Sequence, residues 1–219
     1  MTTIVAAPPT PLELFNGRTF RVLLDCLARP GRVGQLPVFP LADLPRLPDG
    51  TPPNPTAVAA CMSLLDQTVS FAQAAGETWM SVDHPLTRWI ALRSNAHPVA
   101  PEAADFALLH DPAGAVLLGA LKQGTLLCPE QSCTAFLCVP EIVAGGAMLR
   151  LTGPGIAGEA TVGLPGVAPT ALEALIARRG RFPLGIDIFL IDRRGYCLGL
   201  PRTTQVAQAC RLSAYPPGA

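Results

Sequence analysis

The chain has 219 residues, enough for one domain with a filled core; 49% of them are hydrophobic and only 15% are charged. The formal net charge is zero, so nothing global points to a nucleic-acid partner, and no apolar run reaches the roughly 20 residues that a membrane-spanning helix needs. The N-terminus lacks the basic and apolar regions of a secretory signal, so a cytoplasmic location is expected, and so apolar a composition implies surface buried against another chain.

In chain order, residues 1–11 are expected to form a loose Pro-rich arm. Phe20, Leu23, Leu24 and Leu27 then share one face of a helix, and Arg29-Pro30-Gly31 ends it. The prolines of residues 37–55 indicate a surface loop. Asn54 is placed to cap a second helix with Pro55 at its first position. The stripe Val58, Met62, Leu65, Val69 and Ala72 carries that helix on to Gly76. Thr78 to Val82 is expected as a short strand, and Pro85 to Arg93 as a helix with Asp83 as a possible cap. Residues 95–112 fit neither period clearly, with Ala103 to Leu109 either strand or helical turn; Asp111 to Leu121 looks helical.

Cys133–Val139 and Ala147–Thr152 are two apolar runs around Gly145-Gly146 and predict a β-hairpin. Thr152-Gly-Pro-Gly-Ile-Ala-Gly158 turns the chain. Thr170 and Glu173 have capping-box spacing for a helix that Arg178, Arg179 and Gly180 close. Ile186–Ile191 is almost continuously apolar, which predicts a central strand covered on both faces. Asp192-Arg-Arg-Gly195 turns it into a return strand, Tyr196–Leu200, and a frayed tail is expected from Gln205 onward. The expected fold is a single α/β domain over residues 12–204, with a mixed central sheet flanked by helices and a tail over 205–219.

Seven cysteines, an odd number with no C-x-x-C, in a chain expected in the cytoplasm argue against a disulfide framework and match no zinc or iron–sulfur spacing. The three histidines, His84, His97 and His110, lie apart, so no metal is expected. Lys122 is the single lysine and sits at an ordinary surface position beside a helix end, where it forms imines poorly. Asp187, next to an apolar run, must find donors or a cation; Arg202, Arg181 or amides near Gly185 are candidates. Arg202-Thr203-Thr204 combines a guanidinium with two hydroxyls and suits a phosphate, a carboxylate, a cap or a partner chain. The glycine turn at 152–158 lacks the Gly-Lys-Ser/Thr of a phosphate loop. Residues 160–219 hold seven arginines against three carboxylates, either a solvated face or a docking surface for an acidic partner or phosphate.

Five motifs occur in order: Phe20-Arg21 with Leu24 and Ala28-Arg29-Pro30-Gly31; Pro129-Glu130-Gln131; Leu151-Thr152-Gly153-Pro154-Gly155-Ile156; Phe182-Pro183-Leu184-Gly185-Ile186-Asp187; and Gly199-Leu200-Pro201-Arg202-Thr203-Thr204. Together they resemble PhnH, a subunit family of the bacterial carbon–phosphorus lyase system. The resemblance implies phosphonate catabolism within a multi-subunit core complex. That complex transfers phosphonate to the ribose triphosphate of ATP, and a separate iron–sulfur subunit later breaks the carbon–phosphorus bond. It further implies a fold like the large domain of pyridoxal-phosphate-dependent transferases without the cofactor, a homodimer when alone, and a supporting role rather than independent catalysis. The candidates for ligand or partner contact are Asp187, Arg202, Thr203, Thr204, Glu130 and Arg21; no catalytic residue, cofactor or metal is assigned, and neither nucleic acid nor membrane is an expected partner. A stand-alone binding module for a phosphorylated nucleotide or phosphonate intermediate is the alternative. One departure stands out: Ser132-Cys133-Thr134 replaces the Gly-Ala-Thr-like run of the family, and Ser132 forces a local change if that turn needs glycine geometry.

Overall fold

Along the apolar strands that follow Asp105, successive side chains point to opposite faces of the sheet, and both faces are buried. The computed structural model describes residues 8–177 and 182–209. Its eleven strands and four α-helices begin with α1 (Pro11–Ala28), β1 (Val33–Gln35), α2 (Pro55–Met62), β2 (Ser70–Ala75) and β3 (Thr78–Trp79). There follow α3 (Pro85–Ser94), β4 (His97–Pro98), β5 (Phe106–Leu109), β6 (Thr134–Cys138), β7 (Val143–Thr152) and β8 (Ala160–Gly163). The chain closes with α4 (Pro169–Ala177), β9 (Asp187–Ile191), β10 (Tyr196–Leu200) and β11 (Gln205–Gln208). The main sheet has the order β1-β10-β9-β6-β5-β2-β3, with β4 beside the start of β2. Strands β2, β5, β6 and β9 are parallel, and β1, β10 and β3 are antiparallel to their neighbours. The expected mixed sheet is present.

The alternation sends Ala107, Leu109, Ala135, Leu137, Ile188 and Leu190 to one face and Leu108, Phe136, Cys138, Phe189 and Ile191 to the other. Helices α1, α2 and α3 cover the second face, with Leu23, Val58 and Ile90 in its core. The first face is covered by α4, by the 3-10 segment Pro112–Ala120 and by a three-stranded sheet ordered β11-β7-β8. Two cores thus share one sheet, a three-layer α/β architecture.

Several expected elements take other forms. Helix α1 starts at Pro11 because Thr10 and Glu13 make a reciprocal capping box. It buries Phe15, Thr19, Leu23 and Cys26 and leaves Phe20 and Leu24 outside at 53% and 55% exposure. The expected stripe therefore mixes both sides of the helix. Asn54 caps α2 as expected, through bonds from the amides of Thr56 and Ala57. That helix stops at Met62, however. The Asp66 carboxylate accepts from the Thr68 amide and hydroxyl at 2.7 and 2.6 Å, a local turn that competes with helix. Val69 and Ala72 lie beyond it, in the lead-in and body of strand β2, and Gly76 turns β2 into β3. His84, not Asp83, caps α3.

The predicted hairpin of Cys133–Val139 with Ala147–Thr152 does not form. β6 pairs with β5 and β9 in the main sheet, whereas β7 pairs with β8 and β11. Helix α4 opens one residue before Thr170, its first bond running from the Leu172 amide to the Ala168 carbonyl. The β9–β10 hairpin is as expected, but residues 205–208 are strand β11 rather than tail. Arg178, Arg179, Gly180 and Arg181, residues 1–7 of the arm and residues 210–219 of the tail lie outside the described residues. Among the described residues, no helix is long and apolar enough to cross a membrane.

Candidate functional site

The parallel strands give the sheet two functional ends. At the amino end, Asp187 opens β9 and Ser132 lies just before β6. Arg202, just past β10, bridges them. Its NH2 group lies 2.8 Å from Asp187 Oδ2 and donates to Ser132 Oγ; its other terminal nitrogen donates to the Pro129 carbonyl at 2.6 Å. The Arg202 backbone amide also donates to Asp187 Oδ1 at 2.7 Å. Both side chains are largely buried, at 16% and 21% exposure. Of the donors open to Asp187 in the sequence, Arg202 is the one that meets it among the described residues.

Ser132 has ordinary extended geometry, with φ −79° and ψ 157°. No glycine conformation is needed there, so the expected local distortion does not arise, and the hydroxyl that glycine lacks is a partner of Arg202. Thr204 is 1% exposed, its amide bonded to the Pro201 carbonyl, and its hydroxyl meets no protein partner among the described residues. Thr203 is half-buried. Glu130 stands exposed on the 3-10 turn Pro129–Gln131 beside this node, and Arg21 is exposed on α1. The six candidates therefore do not converge on one pocket: Asp187 and Arg202 join directly, Glu130 is exposed on the turn that holds Pro129, and Arg21 is exposed on α1.

The same node joins motifs distant in sequence. Gly199 on β10 lies under α1: a Cβ there would meet the Cys26 carbonyl carbon and oxygen at 2.5 Å. Gly155, at φ 81°, sits against the Ala28 carbonyl at the end of that helix. The motifs at residues 28–31, 151–156 and 199–204 are thus one packing framework. Gly199→Ala is expected to lift α1 from the sheet and to cost about 1–3 kcal/mol by overpacking, read as a lower urea midpoint at unchanged slope.

Lys122 departs from its expected surface position. It is half-buried and paired with Asp105, which also accepts from the Ser70 amide and hydroxyl at 2.8 and 2.7 Å. Burial alone would raise the Asp105 carboxyl, but the bonds from Lys122 and Ser70 bring it below its ordinary value. Asp105 immediately precedes β5 and Ser70 opens β2, so the lysine belongs to the amino end of the sheet.

The carboxyl end carries the cavity, about 850 Å³ in volume. Its lining includes Ala75 and Gly76 after β2, His110 and Asp111 after β5, Cys138 and Val139 after β6, and Arg193 after β9. The proline-rich segment 47–55 forms the opposite wall, fixed by Asn54 Nδ2 donating to the Asp192 carbonyl at 2.9 Å. Clefts outside the carboxyl ends of parallel strands are the usual ligand sites of open α/β sheets. Cys138 is buried and its thiol is pushed up to about 12 by desolvation, so it is no nucleophile.

His110 is 7% exposed. Its Nε2 lies 2.9 Å from Gln73 Oε1, and Gln73 Nε2 donates to the Thr87 hydroxyl at 3.1 Å. Burial, with a smaller push from His84, lowers its pKa from 6.5 to about 4. The folded imidazole thus stays neutral where the unfolded one takes a proton. Its contribution to stability is full above pH 6.5 and is lost as pH falls toward 4, roughly 3 kcal/mol in all. Urea midpoints measured across that window are expected to fall in the wild type, with a shallower fall in His110→Gln.

Sequence reading missed His110, Gln73 and Ser132. His110 follows the four-residue strand Phe106–Leu109, whose unbroken apolar run carries no period that separates strand from helix; without the strand, its carboxyl end had no position.

The family model described as bacterial phosphonate metabolism protein (PhnH) matches residues 15–207. A Rhizobium meliloti (strain 1021) protein named alpha-D-ribose 1-methylphosphonate 5-triphosphate synthase subunit PhnH is 31% identical over 188 residues, covering 85% of this chain and 88% of the relative. A Stutzerimonas stutzeri protein named putative C-P lyase subunit protein HtxG is 31% identical over 188 residues, covering 85% of this chain and 83% of the relative. With the family model matching residues 15–207 and two relatives 31% identical over 85% of the chain, the chain belongs to the PhnH family of bacterial phosphonate metabolism proteins.

Proposed function

We propose that this chain is a subunit of a carbon–phosphorus lyase core complex, in which it supports transfer of phosphonate to the ribose triphosphate of ATP without catalysing that step alone. The observation that carries the reading is the family match over residues 15–207, with relatives named as subunits of this system. The surface is consistent with assembly. Phe20 and Leu24 face outward from α1 near Arg21, and Leu126, Leu127 and Phe182 are exposed at 74%, 93% and 69%. Exposed large apolar side chains in this number suit burial against another chain.

In this reading Arg21 and Glu130 contact partner subunits, while Asp187 and Arg202 hold the segments that carry Glu130, Thr203 and Thr204 in place. The protein works in the cytoplasm and pairs as a homodimer when alone. Its fold is akin to the large domain of pyridoxal-phosphate-dependent transferases but operates without that cofactor: Lys122, the one lysine of the sequence, is tied to Asp105 at the end of the sheet opposite the cavity. Deleting the gene tests the role. Loss of growth on methylphosphonate as sole phosphorus source, restored by the gene in trans, is the expected result; undiminished growth overturns it.

A further inference from the structure

The cavity at the carboxyl end of the sheet has polar groups of two kinds. Most are already engaged. Asp49 accepts from the Thr51 amide and hydroxyl, Asp111 accepts from the amides of Gly76 and Ala113, and Asn54 caps α2. Two are not. His110 Nδ1 is buried and meets no protein partner, and Arg193, exposed at the rim, makes no ion pair or side-chain hydrogen bond among the described residues.

The state of His110 follows from its neighbours. Gln73 is placed with its NH₂ group on the Thr87 hydroxyl and its carbonyl oxygen toward His110 Nε2. A carbonyl only accepts, so with the amide placed this way Nε2 carries the ring proton. In a neutral imidazole the other nitrogen then presents a lone pair. Burial keeps the ring neutral at ordinary pH. Nδ1 is therefore a buried acceptor held in place by a buried glutamine, and leaving such a group without a donor is costly. Gln73 itself is 2% exposed, so it holds the ring from within the core.

We propose that this cavity is a binding site for a small organic anion that carries a hydrogen-bond donor, hydroxyl or amine, at its far end. The donor bonds to His110 Nδ1 at the floor and the anionic group meets Arg193 at the rim. A volume of about 850 Å³ falls within the range of small-molecule sites. The proline-rich wall, with Pro48, Pro52 and Pro53, shields the apolar middle of such a ligand at little conformational cost.

The full-length protein, alone, is titrated by calorimetry with three probes of similar size: glycerol 3-phosphate, 3-aminopropyl phosphate and propyl phosphate. All are anions; the first offers hydroxyls, the second an amine, the third no donor on its carbon chain. At least one donor-bearing probe is expected to bind roughly tenfold or more tightly than propyl phosphate, since rejecting the donor-less analogue is what an unpaired buried acceptor does. Which of the two prevails assigns the donor. In His110→Phe the preference is expected to vanish, and in Arg193→Gln, a surface change with no folding consequence, all three are expected to weaken by a similar factor.

The ¹⁵N resonance of His110 Nδ1 supplies a second readout: it is expected to start at the position of an unprotonated ring nitrogen and to move on adding the preferred probe. If His110→Phe does not fold, Arg193→Gln and the resonance decide. Equal binding of the three probes, no binding of any to the wild type, or an Nδ1 resonance of a protonated nitrogen overturns the proposal. The titration uses the isolated chain and the growth test uses the strain, so a failed site leaves membership in the complex standing, and the reverse.

Discussion

Arg202→Ala is expected to destabilise the folded protein by about 3–5 kcal/mol, measured as the difference in unfolding free energy from urea titration. The reason is the company Arg202 keeps. Its side chain binds the Asp187 carboxylate, the Ser132 hydroxyl and the Pro129 carbonyl together. Truncation leaves a carboxylate at 21% exposure without its cation, and it removes the clamp between the start of β9 and the segment before β6. Replacing both partners, as Arg202→Met with Asp187→Leu, is expected to recover only the part of the loss due to the unpaired carboxylate, because the Arg202 amide, the Pro129 carbonyl and the Ser132 hydroxyl still lose these bonds. A loss below about 1 kcal/mol, the range of exposed ion pairs, would contradict the structural role assigned here.

Phe136→Ala is expected to cost about 3–5 kcal/mol through lost burial and the cavity left behind. Phe136 is fully buried on β6 and lies opposite Phe189 on β9, the ring centroids 5.2 Å apart. Both project into the core beneath α1, α2 and α3. No exposed side chain can swing in to fill that volume from a central parallel strand, so the site collapses poorly. The unfolding midpoint in urea reads the effect, and a change of less than about 1 kcal/mol would mean that the two parallel strands do not pair in this register.

The sequence made the C-terminal third legible and the middle much less so. Ile186–Ile191 announces a central strand because it is apolar on both faces, and Asp192-Arg-Arg-Gly195 announces its turn. The stripe from Val58 to Ala72 misleads because β2 is rich in alanine, which fits a helical period as readily as a strand; the interruption at Asp66 is a side-chain hydrogen bond, invisible to periodicity. The two runs on either side of Gly145-Gly146 look like a hairpin because pairing with a neighbour in sequence is the commoner event. Here β6 is claimed by β5 and β9, and β7 is left to pair with β8 and β11.

The candidate residues follow the same division. That Asp187 needs a partner was legible, because a carboxylate beside an apolar strand must find donors or a cation; the choice of Arg202 over Arg181 or the amides near Gly185 was not, since it depends on where the return strand ends. Ser132 looked like a defect, since its value lies in a bond to a residue 70 positions away. His110 was hidden for a different reason: its significance depends on Gln73 and Thr87, which come from a strand and a helix joined to it only by the fold.

Co-expression with the other core subunits of a carbon–phosphorus lyase system, with an affinity tag on this chain alone, tests the central claim most directly. Recovery of the untagged core subunits in fixed proportion through a second, size-based purification is the expected result. Recovery of this chain by itself, from cells in which those subunits are soluble and assembled with one another, would contradict it.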